Sequence, residues 1–444
     1  MTDLVIIGAG PGGFDTAIYA KEHGLDVTLV EKESVGGTCL NWGCIPTKAL
    51  YHNAKKIKDM KELDVFGINV SSYEIDQQII KKRKEAIVEN QVKNIHTTLQ
   101  KLGVNLVKGK ASIVSPNKVE VNGEILETKH IIIATGSKPK KLSFEGDDLD
   151  VVHDSKELLS LKTFPKKMLV VGAGVIGSEM ASIFTAFDCE VTLVEYMDDV
   201  LPTQDKDIKR RAKSLFKRKG INIFTSTAMT KLEKRNGEYI ASLQGKRKTE
   251  EVQTDYVLLS TGRIPYYGEL DLDQFGIAYS KQGISVNEHK QTSVDNIYAI
   301  GDVNGEMMLA HKATYDGYKA INHILGKPFN VSFDLVPSVV FSIPEIASIG
   351  KTEEMMTGEY QTNKFLYKTN AKAECMNETD GFIKLIVDSN RKLVGCHIIG
   401  THASDLIHEA TLAIHQKMTI DDYQTMIHAH PTISEVLGEC IKGF

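Results

Sequence analysis

The amino-acid sequence predicts an α/β fold with two similar domains built on parallel sheets, followed by a third domain of α+β type. A strand, a glycine-rich turn, a helix and a second strand follow one another at residues 4–31, and the same succession recurs at 168–195. After about residue 330 the pattern changes to strand-like apolar runs followed by helices. A length of 444 residues, of which 42% are apolar, is enough for about three domains with buried cores.

Composition excludes several classes of protein. The 53 basic and 58 acidic residues nearly balance, and no block of Lys and Arg indicates binding to nucleic acid. No apolar run approaches a membrane span, and a strand-like segment begins at once, without a basic region or cleavage site before it. Six cysteines in a chain of this length do not indicate a secreted disulfide scaffold. The sequence therefore predicts a soluble cytoplasmic protein with no nucleic-acid or membrane partner.

The first repeat has the order of a Rossmann-like dinucleotide-binding domain. An apolar strand at 4–7 ends in a glycine-rich turn at 8–13, a helix follows, and a second strand at 27–30 ends on a glutamate. The glycines allow a pyrophosphate to approach the helix N-terminus closely, and the carboxylate accepts both ribose hydroxyls. The residues predicted to hold the dinucleotide are Gly8, Gly10, Gly13 and Glu31.

The second repeat has the same spacing. From the last glycine to the acid, 31 − 13 and 195 − 177 both give 18 residues. The repeats also close alike, with Ile-Ile-Ala-Thr-Gly-Ser at 132–137 and Leu-Leu-Ser-Thr-Gly-Arg at 258–263. Two such folds in one chain predict two dinucleotides. The second would contact Gly172, Gly174, Val175, Ile176, Gly177, Glu195 and Gly262.

A close cysteine pair lies in the first domain. Cys39 and Cys44 stand five positions apart, and Pro46 is a residue typical of the first turn of a helix. A helix N-terminus beside Cys44 favours a thiolate, which suits exchange between dithiol and disulfide. The alternatives are two buried structural cysteines or half of a metal site. No metal site is predicted, because no second Cys/His pair lies at ligand spacing nearby.

Three further segments complete the pattern. A charged, solvated helical arm is predicted at roughly 72–102, and a short strand at 297–300 leads into Gly301 and Asp302. In the last domain, strands at 382–387 and 394–399 precede helices and the run His-Ala-His-Pro-Thr-Ile-Ser-Glu at 428–435, where Glu435 is expected about one helical turn after His430.

Taken together, these motifs resemble the flavin-dependent pyridine nucleotide-disulfide oxidoreductase family over essentially the whole chain. Within it, the sequence is most similar to the dihydrolipoamide dehydrogenases. The matches are Gly-Cys-Ile-Pro-Thr-Lys-Ala-Leu at 43–50, Met-Leu-Ala-His-Lys-Ala at 308–313, and the His-Pro-x-x-x-Glu ending.

The resemblance implies a fold, cofactors and a reaction. It implies an FAD-binding domain at 1–145 with the cysteine pair, an NAD-binding domain at 146–265, a central segment at 266–330 completing the FAD region, and a dimerisation domain at 331–444. The implied reaction oxidises protein-bound dihydrolipoamide to lipoamide and passes a hydride to NAD. The implied partners are a lipoylated domain, a second copy of the chain sharing the active site, and a 2-oxo acid dehydrogenase or glycine cleavage complex.

The resemblance also implies residue roles. Cys44 would face the flavin, Cys39 would exchange with substrate, and His430 would be an acid–base residue acting on the other subunit's cysteines. The implied catalytic set is Cys39, Cys44, Lys48, Glu179, His430 and Glu435, with Lys48 and Glu179 as an ion pair. The implied FAD contacts, besides the glycines and Glu31 of the first repeat, are Thr38, Lys48, Ala111, Thr135, Gly136, Asp302 and Ala310. His428 is expected to be a core histidine.

Two related classes of enzyme and one non-catalytic role are the alternatives. A glutathione-type reductase would need basic residues after the second acid, where this chain has Glu-Tyr-Met-Asp-Asp at 195–199. A mercuric reductase would need a second cysteine pair near the C-terminus, where only Cys440 stands. The protein could also serve as a docked structural subunit of a complex. Trp42, Tyr266-Tyr267 and Lys372 depart from residues frequent in the family.

Overall fold

The computed structural model describes residues 1–268 and 270–444. These residues form two compact units, one comprising residues 1–49, 78–140 and 262–332 and the other 50–77, 141–261 and 333–444. The units divide the chain differently from the four sequence-derived segments, whose boundaries stay a prediction. Within the described ranges, no helix is both long and apolar enough to cross a membrane.

The secondary structure alternates between strands and helices over most of the chain. The helices are α1 (Pro11–Glu22), α2 (Gly37–Trp42), α3 (Cys44–Lys61), α4 (Gln77–Leu102), α5 (Ser155–Leu159), α6 (Val175–Ala186), α7 (Lys206–Arg218), α8 (Ala310–Ile324), α9 (Ala371–Cys375), α10 (Ala403–His415), α11 (Ile420–Gln424) and α12 (Glu435–Ile441). The strands are β1 (Thr2–Ile7), β2 (Val27–Glu31), β3 (Asn105–Lys108), β4 (Ala111–Ser115), β5 (Lys118–Val121), β6 (Glu124–Ile133), β7 (Ser137–Pro139), β8 (Val152–His153), β9 (Lys167–Val171), β10 (Glu190–Val194), β11 (Asn222–Phe224), β12 (Thr227–Arg235), β13 (Glu238–Gly245), β14 (Thr249–Thr254), β15 (Tyr256–Leu259), β16 (Arg263–Pro265), β17 (Tyr279–Ser280), β18 (Gly283–Ile284), β19 (Ile297–Ala299), β20 (Ser338–Val340), β21 (Ile346–Gly350), β22 (Tyr360–Leu366), β23 (Phe382–Asp388) and β24 (Leu393–Ile399).

The first unit is built on a sheet whose central strands run parallel in the order β3-β2-β1-β6, with β19 beside β6. Strand β2 is buried along its whole length, which fits the near-continuous apolar run of a parallel strand covered on both faces. The far end of the sheet is antiparallel, since β4, β5 and β6 form a meander. The carboxyl ends of the parallel strands therefore meet at one edge, followed by the predicted dinucleotide turn.

The second unit repeats this plan. Its parallel sheet has the order β11-β10-β9-β15-β8, and β12, β13 and β14 form a separate antiparallel meander. Strands β9, β10, β11 and β15 thus take the places of β1, β2, β3 and β6. The internal repeat predicted from the glycine motifs is confirmed in both sheet order and strand direction.

The C-terminal part of the second unit is an antiparallel sheet in the order β20-β21-β24-β23-β22. Its apolar face packs with α10 and α12 into one core that includes Leu385, Ile398, Ile407 and Leu437. This confirms the predicted change to α+β texture and both predicted strands.

One predicted boundary is wrong by several residues. The charged arm was expected from about residue 72, but helix α4 begins at Gln77. The preceding Ser-Ser-Tyr-Glu-Ile-Asp segment contains residues whose side chains compete for backbone hydrogen bonds and favour turns and caps. The arm is also not wholly solvated, because Ile80, Lys84 and Leu99 are buried.

A buried cluster of charges lies at the start of α7. The Lys384 side chain on β23 is fully buried, and its Nζ lies 2.8 and 2.9 Å from the two oxygens of Asp205. The same nitrogen contacts Asp207 at 2.7 Å and Glu353 at 2.6 Å. Burial raises the pKa of Asp207, but hydrogen bonds from Lys364 and Lys384 outweigh it and lower that pKa to about 2. The cluster is therefore ionised at neutral pH.

Replacing Lys384 by Met would leave the fully buried Asp205 carboxylate without its cation, so we expect the free energy of unfolding to fall by about 3–5 kcal/mol. Because the pKa of Asp207 is lowered on folding, this stabilisation is complete above the unfolded-state pKa near 4 and is lost as pH falls towards 2. Thermal melting of the wild type and of Lys384→Met should show a difference in melting temperature that decreases as the pH falls from 7 to 3.

Lys364→Met is the matched control. Lys364 also contacts Asp207, at 2.8 Å, but its side chain is 40% exposed. Its replacement should change stability by less than about 1 kcal/mol. Equal melting temperatures for the two variants at pH 7 would contradict the role given to Lys384.

Candidate active site

The first glycine turn is shaped by backbone approaches that leave no room for side chains. Gly8 has φ +105°, and a Cβ there would lie 2.4 Å from the Ala134 carbonyl oxygen. A Cβ at Gly13 would lie 1.8 Å from the Gly8 carbonyl oxygen. Gly10 differs, because a Cβ there would meet nothing within 4 Å. Packing does not require a glycine at this position, so the open space at the start of α1 fits an approaching phosphate.

The second glycine turn has the same geometry. Gly172 has φ +102°, and its Cβ would lie 2.5 Å from the Ser260 carbonyl oxygen. A Cβ at Gly177 would lie 1.9 Å from the Gly172 carbonyl oxygen, while one at Gly174 would meet nothing within 4 Å. Two residues lie between Gly174 and Gly177. Val175 is the first residue of α6 and is 41% exposed, and Ile176 is half-buried. Both turns therefore have the shape that a dinucleotide requires.

Glu31 is held at the end of β2 by backbone groups. Its Oε2 accepts the N–H of Ala9 at 2.8 Å, and its Oε1 accepts the N–H of Glu33 at 2.6 Å. These bonds orient the carboxylate beside the glycine turn, and each oxygen keeps a second lone pair for a ribose hydroxyl. The predicted ribose acceptor is therefore preorganised.

Glu195 repeats this arrangement in the second unit. Its Oε2 accepts the N–H of Ala173 at 2.6 Å, and its Oε1 accepts the N–H of Met197 at 2.8 Å. The next side chain, Tyr196, is 78% exposed. The acid is followed by carboxylates and an aromatic ring, with no cation placed to receive a 2′-phosphate in the run 195–199.

The closing motifs of the two repeats contain a contact that sequence reasoning missed. Strands β7 and β16 pair, and Arg263 donates to the Ser137 hydroxyl and to the Ser137 carbonyl, both at 2.7 Å. The Ser137 hydroxyl donates in turn to Asp302. Gly136 and Gly262 both have positive φ and open space around a Cβ. The alignment of residues 132–137 with 258–263 contained Ser137 and Arg263, but gave no sign that they meet.

A buried carboxylate supports the turn that carries Asp302. Asp302 is half-buried and lies in a 3₁₀ turn over Gly301–Asn304. The N–H of Gly301 donates to the buried Asp316 at 3.1 Å. Lys312 donates to the same Asp316 oxygen at 2.7 Å, and both side chains are at most 1% exposed. Ala310 is the first residue of α8, two residues before Lys312. The spacing of Lys312 and Asp316 at i, i+4 was the available signal.

The cysteine segment packs directly against the first glycine turn. The N–H of Gly36 donates to the Ala9 carbonyl at 2.8 Å. A Cβ on Gly37 would lie 2.7 Å from the Gly10 Cα, so the two backbones touch. Cys39 then lies in α2, and α3 begins at Cys44, as the helix N-terminus predicted there requires.

The two sulfurs interact with each other. Cys39 and Cys44 form no disulfide and are half-buried. A hydrogen bond with the Cys44 sulfur and burial both raise the pKa of Cys39 well above its usual range, although Lys48 opposes this. The two thiols therefore titrate as a pair, and the role of Cys44 as its thiolate stays a prediction.

His430 and Glu435 meet in the C-terminal domain. His430 Nδ1 lies 2.9 Å from Glu435 Oε1, and the imidazole is 74% exposed. The other Glu435 oxygen accepts the Thr432 N–H at 2.7 Å, and these two bonds lower the pKa of Glu435. The pair was expected to span a helical turn, but α12 begins only at Glu435. Pro431, which has no N–H to donate, interrupts any helix before it.

The remaining predicted residues divide between the two units. His428 is nearly buried and bonds Glu409 at 2.9 Å, as expected of a core histidine. Glu179 is buried on α6 and accepts the Phe341 N–H at 2.9 Å. Its ion pair with Lys48 stays a prediction. All the predicted FAD contacts lie within the first unit, and their contact with FAD stays a prediction. They are Gly8, Gly10, Gly13, Glu31, Thr38, Lys48, Ala111, Thr135, Gly136, Asp302 and Ala310.

Comparison with protein families gives two matches. A family described as pyridine nucleotide-disulphide oxidoreductase matches residues 2–317, and the dimerisation domain of such proteins matches residues 336–441. The two matches together cover almost the whole chain.

Individual proteins are similar along their full lengths. Dihydrolipoyl dehydrogenase 2, mitochondrial, of Arabidopsis thaliana is 39% identical over 98% of this chain and 89% of its own. The dihydrolipoyl dehydrogenase of Bacillus subtilis is 35% identical over 99% of this chain and 97% of its own. Among solved structures, the HOCl-induced flavoprotein disulfide reductase RclA from Escherichia coli is 26% identical, with a TM-score of 0.89 over 99% of each chain.

The glycines of the second turn should separate binding from folding. Gly174→Ala places a methyl group in open space, so we expect an unchanged melting temperature but about tenfold weaker NADH binding. Gly177→Ala forces a Cβ against a carbonyl oxygen and should lower the melting temperature. Fluorescence titration and thermal melting measure the two effects. Unchanged NADH binding by Gly174→Ala would show that the open space is not used by the nucleotide.

Proposed function

Because the chain belongs to the pyridine nucleotide-disulphide oxidoreductase family, we propose that it is a dihydrolipoyl dehydrogenase, which oxidises dihydrolipoamide to lipoamide and reduces NAD. The observation that supports this most directly is the packing of the Gly36–Gly37 backbone, which precedes Cys39, against the first dinucleotide turn. This contact brings a dithiol pair to the edge of a cofactor site.

The first unit holds FAD and the second holds NAD. The α1 N-terminus and Glu31 receive the pyrophosphate and ribose of FAD, and Asp302 lies on a braced turn at the same edge of the sheet. Glu195 receives the NAD ribose in the equivalent way. Bound in the first unit, FAD supplies a two-electron carrier between the cysteine pair and NAD.

The cysteines exchange one disulfide for another. A thiolate of the substrate attacks Cys39, forming a mixed disulfide, and the broken Cys39–Cys44 bond leaves Cys44 as a thiolate. The second substrate thiolate then attacks the substrate sulfur of the mixed disulfide, which closes the lipoyl ring and releases Cys39. The lipoyl dithiol is oxidised and the protein disulfide is reduced. The raised pKa of Cys39 fits its return to the protonated form.

His430 takes the proton that the substrate dithiol must lose. Its Nδ1 bond to Glu435 fixes the ring orientation and stabilises the imidazolium, leaving the opposite nitrogen for the substrate. The ring is 74% exposed in a single chain. In the homodimer, His430 of one chain acts beside the cysteines of the other, so each active site needs both.

The physiological substrate is a lipoyl group on a protein domain of a 2-oxo acid dehydrogenase or glycine cleavage complex. The similarity of the chain to dihydrolipoyl dehydrogenases supports the lipoyl chemistry. The cytoplasmic location, expected from cysteine usage, stays a prediction.

A substrate panel tests the proposed function. The purified protein should reduce NAD with free dihydrolipoamide, and Cys39→Ser and Cys44→Ser should each abolish this reaction. Glutathione disulfide with NADPH should give little turnover. Efficient glutathione disulfide reduction, or no dihydrolipoamide oxidation by FAD-loaded protein, would overturn the proposal.

Glu195 should set the choice of nucleotide. A carboxylate accepts ribose hydroxyls but repels a 2′-phosphate, so kcat/KM should favour NAD over NADP by about 100-fold. Glu195→Arg should reduce that preference. Glu190→Arg makes the same charge change at the opposite end of β10, and should leave the preference unaltered. Equal kcat/KM for both nucleotides in the wild type would refute this role.

His430→Gln should slow dithiol oxidation by about 10²–10⁴-fold while FAD stays bound, because only the proton acceptor is lost. NADH oxidation by an artificial electron acceptor should persist. His415→Gln, an exposed histidine at the end of α10, is the control.

Mixed dimers then test the shared site. Wild-type chains are paired with Cys44→Ser/His430→Gln chains, and the mixed dimer is purified. If the base acts on the other chain, no intact site remains; if it acts on its own chain, one does. Half of the wild-type activity would rule out sharing.

A further inference from the structure

Two hydrogen bonds hold the Tyr266 backbone at the end of β6. Its N–H donates to the Gly136 carbonyl at 2.9 Å, and its carbonyl accepts the Thr135 hydroxyl. The pairing of β16 with β7 delivers the chain to this point, where Pro265 pairs with Ser137. Tyr266 therefore starts at the carboxyl edge of the parallel sheet in the first unit.

The Tyr266 ring reaches the end of a different strand. Lys32 Nζ lies 4.4 Å from the ring centroid and 3.3 Å from the phenol oxygen. Lys138 Nζ lies 5.7 Å from the same centroid. A cation over a ring face within about 6 Å is an attractive arrangement. Lys32 directly follows Glu31, the residue that closes β2.

The strand order determines what the ring crosses. Strand β1 lies between β2 and β6 and continues into the glycine turn at 8–13. A residue anchored at the end of β6 that touches the residue after β2 must span the edge above β1. Tyr266 and Lys32 therefore bridge the mouth of the first dinucleotide site, on the side where Glu31 receives a ribose.

We propose that Tyr266, held by Lys32, is a clasp over the adenosine half of the first dinucleotide site and slows dinucleotide release. The inference rests on the proposed function in so far as that site holds FAD. The phenol ring offers a face and a hydroxyl to the adenosine, and the Lys32 contact keeps the ring across the site.

The test compares two flavins in reconstituted apoprotein. FAD has the adenosine half, whereas FMN lacks it. Tyr266→Ala should speed FAD release about tenfold, measured by flavin fluorescence after dilution, and leave FMN affinity unchanged. Lys32→Met should act in the same direction with a smaller effect, because it frees the ring without removing it.

Tyr267→Phe is the matched control. The Tyr267 hydroxyl donates to Ser280, and its ring packs on Tyr279 at 5.2 Å between centroids. Loss of the Tyr267 hydroxyl should change neither FAD release nor FMN affinity. If Tyr266→Ala does not fold, Tyr266→Phe and Lys32→Met provide the same comparison.

Two results would overturn the clasp, and one separates it from the proposed function. Unchanged FAD release in every Tyr266 and Lys32 variant would show that the bridge does not contact the cofactor. Equal weakening of FAD binding and FMN binding would show that Tyr266 and Lys32 act only on the stability of the fold. Wild-type protein that binds no FAD would instead overturn the proposed function together with the clasp.

Discussion

The whole site depends on a backbone approach that no side chain permits. At each glycine turn, the start of a helix crosses the end of a strand so closely that a Cβ on Gly13 or Gly177 would lie within 2 Å of a carbonyl oxygen. This contact aims the helix N-terminus at the edge of the sheet. The acids at the ends of β2 and β10 then bond to the backbone of the turn, and the cysteine segment rests on Gly10.

The two glycine turns share one backbone geometry but differ in the residues that surround them. After Glu31 comes Lys32, whose charge lies over the Tyr266 ring. After Glu195 comes an exposed Tyr196 and acidic residues, which leave the second site open and negatively charged. The first turn also carries the cysteine segment, and the second does not.

Buried charges hold the functional segments in place. Asp316, fully buried and bonded to Lys312, accepts the N–H of Gly301 and so supports the turn that presents Asp302. A buried carboxylate bonded to a cation is costly to disturb, which makes such a turn rigid. The His430–Glu435 pair is different, because the His430 imidazole is mostly exposed while Glu435 is anchored. An exposed imidazole with a fixed orientation is the observation on which the proposed role of His430 rests.

The sequence alone determined the two repeats, their glycines and acids, and the cysteine pair, because each is a local pattern in which spacing dictates backbone shape. Tertiary structure decided which distant residues meet. Arg263 and Ser137 are adjacent only through the β7–β16 pairing. Tyr266 reaches Lys32 only because β2 and β6 belong to one sheet, with the single strand β1 between them. The contact of His430 with Glu435 was expected from a helix but arises from a non-helical segment. Local propensity carries no information on such encounters, since they depend on strand order and chain path.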